Sequence, residues 1–212
     1  YVNLIREQVP AQGIFLENDM QKNTGPCIAA AIEYYFTTCY LESDVAVILP
    51  SDAFFSSEDA FRQTISKAIY GAEHHPGIIY CIGIQPDHPS TQYGYIETDR
   101  DFNVKRFKEK PVEAVAKEYL ASGNYCWNAG IFVGTFGTFM SAFRECAPEI
   151  WFNLADWDKI PKISFDYAVL EKYTNIGCIP YNNVNYSTGL YWNDLGSFEA
   201  IEKTKEWIKQ QF

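Results

Sequence analysis

The sequence is short of positive charge. Its 17 lysines and arginines face 27 aspartates and glutamates, a formal net charge of −10. That deficit argues against a nucleic-acid backbone or an anionic membrane surface as the main partner, because both need a basic face. Any bound phosphate must be met by a local cation. Histidine is scarce, with three residues, and the adjacent pair His74 and His75 would point apart on a helix rather than share a metal. No serine, histidine and aspartate set is spaced for nucleophilic catalysis. The six cysteines contain no CxxC and no Cys/His cluster, so they read as reduced core thiols of a cytoplasmic protein. Long apolar runs are missing too: the uncharged stretch from Tyr125 to Ala142 is broken by Asn128 and by glycines, and is too short to span a bilayer as a helix. No signal peptide, internal repeat, low-complexity tract or linker is visible, and one domain is the simplest count.

What is present is ordinary globular material, 47% hydrophobic and 21% charged, enough for one core of useful size. Apolar runs alternate with amphipathic stretches: GIFLE, a helical pattern to about Tyr40, VAVILP, a helix to about His74, then GIIYCIGI. This is the β-α-β-α-β rhythm of an α/β fold, a mostly parallel sheet flanked by helices. Asn23-Thr24-Gly25-Pro26 offers a capping side chain and a proline in the first turn of the first helix. Ser56 or Ser57 before Glu58 and Asp59 does the same for the second. After Ile84 the rhythm changes, and YGYIE followed by VKRFKEK reads as an antiparallel excursion. A helix from about Val112 to Ser122, a buried strand NYCWNAGIFVG, helices near Phe136–Cys146 and through DYAVLEK, a strand and loop in YSTGLYWNDLGSF, and a closing charged helix complete the chain.

In an open α/β sheet the ligand sits beyond the carboxyl ends of the strands. Asp52 is such a terminus, since VAVILPSD buries six apolar positions and then releases an acid, a costly place for a carboxylate without a cation or capping donors. Asp52 or Ser51 would equally serve to start a turn or cap the next helix. Asp194 in YWNDLGS stands at a strand-to-helix junction, where an acid can be a cap. Two such acids together change the reading, because Mg²⁺ is held by one or two carboxylates plus substrate phosphate oxygens. Glu109 and Lys110 sit side by side, with strand alternation sending their side chains to opposite faces. Pro111 ends the strand and leaves the pair at a rim, where the acid could accept from sugar hydroxyls and the lysine bind phosphate. Asn128 with Gly130, and Gly94 between two tyrosines, mark either close ligand approach or plain bulges.

Taken in order, ENDMQKNTGPCIAAA, VILPSD, TQYGYIE, RFKEKP, SGNYCWNAGIFV, ISFDYAVLEK and YWNDLGSF resemble the mannose-1-phosphate guanylyltransferases, the GDP-mannose pyrophosphorylases. The resemblance implies the Rossmann-like nucleotide-diphospho-sugar transferase fold and the reaction of GTP with mannose 1-phosphate to give GDP-mannose and pyrophosphate, by in-line attack with Mg²⁺ as cofactor. It implies Asp52 and Asp194 at the metal; Gly94, Glu109, Lys110, Asn128 and Asp166 around the sugar phosphate; and Asn23, Thr24 and Ser51, with Asp52, near the nucleotide. Asp52, Asp194 and Lys110 would be the catalytic set. NTGP, WNAG and WNDLGSF depart slightly from the family's usual NTAP, NSG and WSDVGSW. The family's first strand and glycine-rich loop, GGxGTRLWPLS, are absent from these residues. The chain is therefore expected to be a partial catalytic domain over residues 1–212, inactive by itself, with an exposed sheet edge that favours a homo-oligomer. Two alternatives stay open: a non-catalytic sugar-phosphate-binding module, and a nucleotidyltransferase for another sugar 1-phosphate.

Overall fold

The computed structural model describes residues 2–8, 20–99, 103–181 and 190–211. The GIFLE segment, expected as a first strand, lies outside the described residues, as does most of YSTGL before Leu190.

The chain runs through α1 (Val2–Gln8), α2 (Thr24–Thr38), β1 (Val45–Ile48), β2 (Ala53–Phe55), α3 (Glu58–His74), β3 (Ile79–Ile84), β4 (Tyr95–Thr98) and β5 (Val104–Lys108). It continues through α4 (Glu113–Ser122), β6 (Tyr125–Thr135), α5 (Phe136–Cys146), α6 (Pro148–Trp151), β7 (Ile176–Pro180), β8 (Trp192–Asp194) and α7 (Phe198–Lys209). The caps are those the sequence suggests. Asn23 accepts from the Thr24 N–H at the start of α2, and Ser57 from the Ala60 N–H at the start of α3.

The main sheet is ordered β5-β4-β6-β3-β7, with β1 also on β6. Relative to β6, strands β1, β3 and β4 all run antiparallel, and β7 runs parallel to β3. Four of the six strands thus share one direction, and the long β6 is inserted against them. The expected α/β sheet with its antiparallel β4–β5 excursion is present, but it is mixed rather than mostly parallel: with β6 inserted against its neighbours, only β3 and β7 pair in parallel among the described strands. Alternation along the strands divides the core into two layers. Ile79, Cys81, Cys126 and Phe132 face α2 and α5, whereas Tyr80, Ile82, Trp127 and Val133 face α3. Each fully buried aliphatic or aromatic side chain contributes about 2 kcal/mol, so the two-sided burial of β3 and β6 explains why both read as continuous apolar runs.

Two further expectations are corrected. VAVILP does not bury six apolar positions: Val45 to Ile48 are half-buried and Leu49 is 52% exposed. The reason is position, because among the described residues β1 pairs with β6 alone. DYAVLEK is not a full helix but a single π turn over Asp166–Leu170.

The register of β6 opens the space for a site. Trp127 pairs with both Ile84 and Tyr95, and Val133 with both Tyr80 and Val47. One edge of β6 pairs with β3 at Trp127, Asn128, Phe132 and Val133, with a bulge between them, while the other carries β4 at its start and β1 at its end. Between them Asn128 to Ile131 have no ladder partner on that edge beyond the bond from the Asn128 N–H to Gly94 O.

Candidate functional site

The gap in β6 forms the floor of a cleft. Pro50, Asp52, Gly94, Glu109, Lys110, Asn128, Gly130, Asp166, Trp192 and Asp194 are among its lining residues. Seven sequence-predicted residues therefore meet in one place: Asp52, Asp194, Gly94, Glu109, Lys110, Asn128 and Asp166. Ser51 is exposed in the turn before Asp52 and does not line it. Asn23 and Thr24 do not line it either. Asn23 caps α2, and the Thr24 hydroxyl accepts from the Phe165 N–H at 3.0 Å, tying α2 to the residue before Asp166.

Asp52 and Asp194 are brought together by a two-stranded ribbon. Strand β2 pairs with β8 so that Ala53 lies opposite Asp194, and the Leu195 N–H donates to Asp52 O at 2.6 Å. Asn193 fixes the ribbon from beneath: its buried amide donates to Ala200 O and Thr204 Oγ1, both at 2.9 Å, on α7. Alternation then turns Asp194 toward the cleft. Gly196 completes the arrangement. Its N–H donates to Asp194 Oδ1 at 2.8 Å, and a Cβ there would stand 2.9 Å from that oxygen and 3.4 Å from Asp52 Oδ2. Both carboxylates thus border one small space that a methyl group would fill. The pair fits a hard divalent cation such as Mg²⁺, which needs few protein oxygens when a phosphate supplies others.

The opposite wall is built on the main sheet. Glu109 is 4% exposed and pairs with Lys110 Nζ at 2.8 Å. Their side chains do not go to opposite faces as alternation suggested. Strand β5 ends at Lys108, and Lys110 takes φ 41°, which folds its side chain back onto Glu109. The Glu109 carboxylate in turn explains Gly94: a Cβ at 94 would meet Glu109 Oε2 at 2.6 Å and Phe107 Cζ at 2.9 Å. Close approach there comes from the protein's own acid.

Asn128 satisfies its buried amide on both sides, donating to Asp166 Oδ1 at 2.8 Å and accepting from the Gly130 N–H at 3.1 Å. Asp166 heads the π turn. Burial first, and then the neighbouring Glu109 charge, push its carboxyl up to about 6. Lys110 is held above its ordinary value, chiefly by the hydrogen bond to Glu109, and so stays protonated. The cleft therefore offers an acidic pair at one end and, at the other, one ammonium beside two hydrogen-bonding acids, Glu109 buried and Asp166 half-buried. A phosphate between them would meet the ammonium on one side and a cation held by Asp52 and Asp194 on the other.

Sequence reasoning did not single out Gly196, Glu171 or Trp192. A glycine two residues past an acid was the available signal for Gly196. Glu171 had none, because its partners lie far away in sequence.

Comparison with known proteins adds three findings. The family described as Nucleotidyl transferase matches residues 6–211. A Vibrio cholerae protein provisionally named a mannose-1-phosphate guanylyltransferase is 34% identical over 226 residues, covering 93% of this chain and 46% of its own length. Among solved structures, one from Thermus thermophilus, described as a mannose-1-phosphate geranyltransferase, matches with TM-score 0.80 and 26% identity over 96% of this chain and 61% of that one. A Helicobacter pylori structure described as a mannose-6-phosphate isomerase matches with TM-score 0.78 and 25% identity, over 91% and 79%. The chain spans less than half the length of the curated relatives it matches.

Proposed function

The chain belongs to the nucleotidyl transferase family, and from that premise we propose that it supplies the sugar-phosphate and metal side of a mannose-1-phosphate guanylyltransferase. The reaction is GTP plus mannose 1-phosphate giving GDP-mannose plus pyrophosphate. The observation that carries this reading is the meeting, in one cleft, of the Asp52 and Asp194 pair with Lys110, Glu109, Asn128 and Asp166. The sugar in the reading comes from the relatives' names, which share a phosphorylated mannose.

Asp52 and Asp194 would hold Mg²⁺, which when bound neutralises phosphate charge and orients the nucleotide for displacement. Lys110 places a fixed positive charge on the phosphate of mannose 1-phosphate. Glu109 keeps Lys110 in place, and its remaining lone pairs, with Asp166 and Asn128, can accept from or donate to the sugar hydroxyls. The sugar phosphate is already ionised near neutral pH, so its oxygen attacks the α-phosphorus without a general base. The chain's task is then to position the nucleophile and to exclude alternatives, which can supply several kcal/mol of the barrier.

The reading is tested by calorimetry of mannose 1-phosphate with this chain in Mg²⁺ and, separately, by pyrophosphate release from the complete protein across a panel of nucleotides and sugar 1-phosphates. Binding and turnover selective for mannose 1-phosphate and GTP are expected. Binding without turnover of any pair in the complete protein would instead favour a non-catalytic module, and preference for UTP or dTTP with another sugar would replace the substrate.

A further inference from the structure

Lys110 holds its ammonium in the cleft only through a backbone shape that lysine does not favour. Its φ of 41° lies in the left-handed region, where Cβ crowds the following carbonyl. Pro111 comes next and has no N–H with which to close the turn. The restraint comes instead from Glu171, 62 residues beyond Glu109. Glu171 Oε1 accepts from the Glu109 N–H at 3.0 Å and from Lys108 Nζ at 3.0 Å. Glu171 is also the residue that closes the π turn, its N–H donating to Asp166 O at 2.9 Å. One turn therefore carries Asp166 at its head, bonded to Asn128, and Glu171 at its tail, gripping the chain just before Lys110.

Resting on the sugar-phosphate reading, we propose that Glu171 is a positioning residue. By capturing the Glu109 N–H it fixes the left-handed turn at Lys110 and keeps the ammonium aimed at the substrate phosphate. The bond to the Glu109 N–H carries this role. It is charge-assisted and partly shielded, with the Glu171 side chain 23% exposed. The pair with Lys108 contributes little, since the Lys108 side chain is 46% exposed. Single π turns are frequent at functional sites, and this one carries both Asp166 and Glu171 to the same wall.

Calorimetry of mannose 1-phosphate with Mg²⁺, comparing wild type with Glu171→Ala, Glu171→Gln and Lys108→Met, tests the proposal. Glu171→Ala should weaken binding about tenfold or more, as expected for losing a charge-assisted bond. Glu171→Gln keeps an oxygen that accepts from Glu109 and should stay within about threefold. Lys108→Met removes only the surface pair and should stay within about twofold. Hydrogen exchange at the Glu109 amide reads the clamp without ligand: it should quicken about tenfold or more in Glu171→Ala and stay near wild type in Glu171→Gln. Unchanged Glu109 exchange or unchanged affinity in Glu171→Ala overturns the clamp. A loss in Lys108→Met equal to that in Glu171→Ala overturns it as well. A wild-type chain that binds no mannose 1-phosphate, yet shows the expected exchange pattern, overturns the substrate reading and supports the clamp.

Discussion

The two walls of the cleft are built on opposite plans. Asp52 and Asp194 stand on a short two-stranded ribbon, with Asp52 exposed and both carboxylates bordering a space left by the missing Cβ of Gly196. Glu109, Asn128 and Asp166 stand on or against the main sheet, the first two buried and Asp166 half-buried, with polar partners from the protein itself. Few contacts fix the ribbon acids relative to each other, so a cation and a phosphate would have to complete their coordination. The sheet wall arrives with its electrostatics already arranged, and that arrangement costs stability, because Asp166 must lose water to sit there. One wall has few internal partners, and the other brings its own.

The largest test of this contrast is Asp194→Ala. In the complete protein it should lower pyrophosphate release by about a thousandfold or more, while thermal melting shifts little because the residue is not part of the core. Normal turnover in that variant would remove the ribbon from the chemistry. A smaller effect is expected for Gly196→Ala. Residue 196 is not among the positive-φ positions, so alanine adds no backbone strain. Its methyl would enter the space between the acids and lower Mn²⁺ affinity, followed by electron paramagnetic resonance, by about tenfold to a hundredfold. Wild-type affinity would show that this space is not where the cation sits.

The smallest effect, and the one opposite in sign, belongs to the sheet wall. Folding raises the Asp166 carboxyl from an ordinary value of 3.8 to about 6. The folded state therefore binds a proton that the unfolded state releases between those values. Stability associated with Asp166 is full below about pH 4 and is lost as pH rises through about 6. Asp166→Asn should remove that loss. Its oxygen can still accept from Asn128, so the variant should be more stable at pH 7 by about 2 kcal/mol, or roughly 5 °C in melting temperature. Sugar-phosphate binding should weaken at the same time. Equal or lower stability, with an unchanged slope between pH 4 and 6, would show that the sheet wall carries no electrostatic cost.

Much of this was legible in the chain. The antiparallel β4–β5 excursion, the buried β6 and the caps of α2 and α3 follow from short-range pattern. Asp52, Asp194, Gly94, Glu109, Lys110 and Asn128 could be singled out at the ends or interruptions of apolar runs, each with an ordinary structural use beside the functional one, and Asp166 came from the family resemblance. Three features were not legible. The exposure of β1 depends on which neighbour lies at its edge. The meeting of Glu109 with Lys110 depends on one left-handed residue that strand alternation cannot foresee. The roles of Gly94 and Gly196 depend on carboxylates that arrive from elsewhere in the fold.

The sequence by itself determined the kinds of groups and the strand ends that present them, because side-chain chemistry and a two-residue or 3.6-residue period are local properties. It also determined that phosphate must be met locally, since the chain carries a net charge of −10. Only the tertiary structure decided that these groups share one cleft. The offset pairing of β1 and β4 on one edge of β6 opens its floor, β2 and β8 bring Asp52 beside Asp194, and Glu171 reaches back across the fold to hold Lys110. Those are distances between residues far apart in the chain, and no local preference of the backbone fixes them.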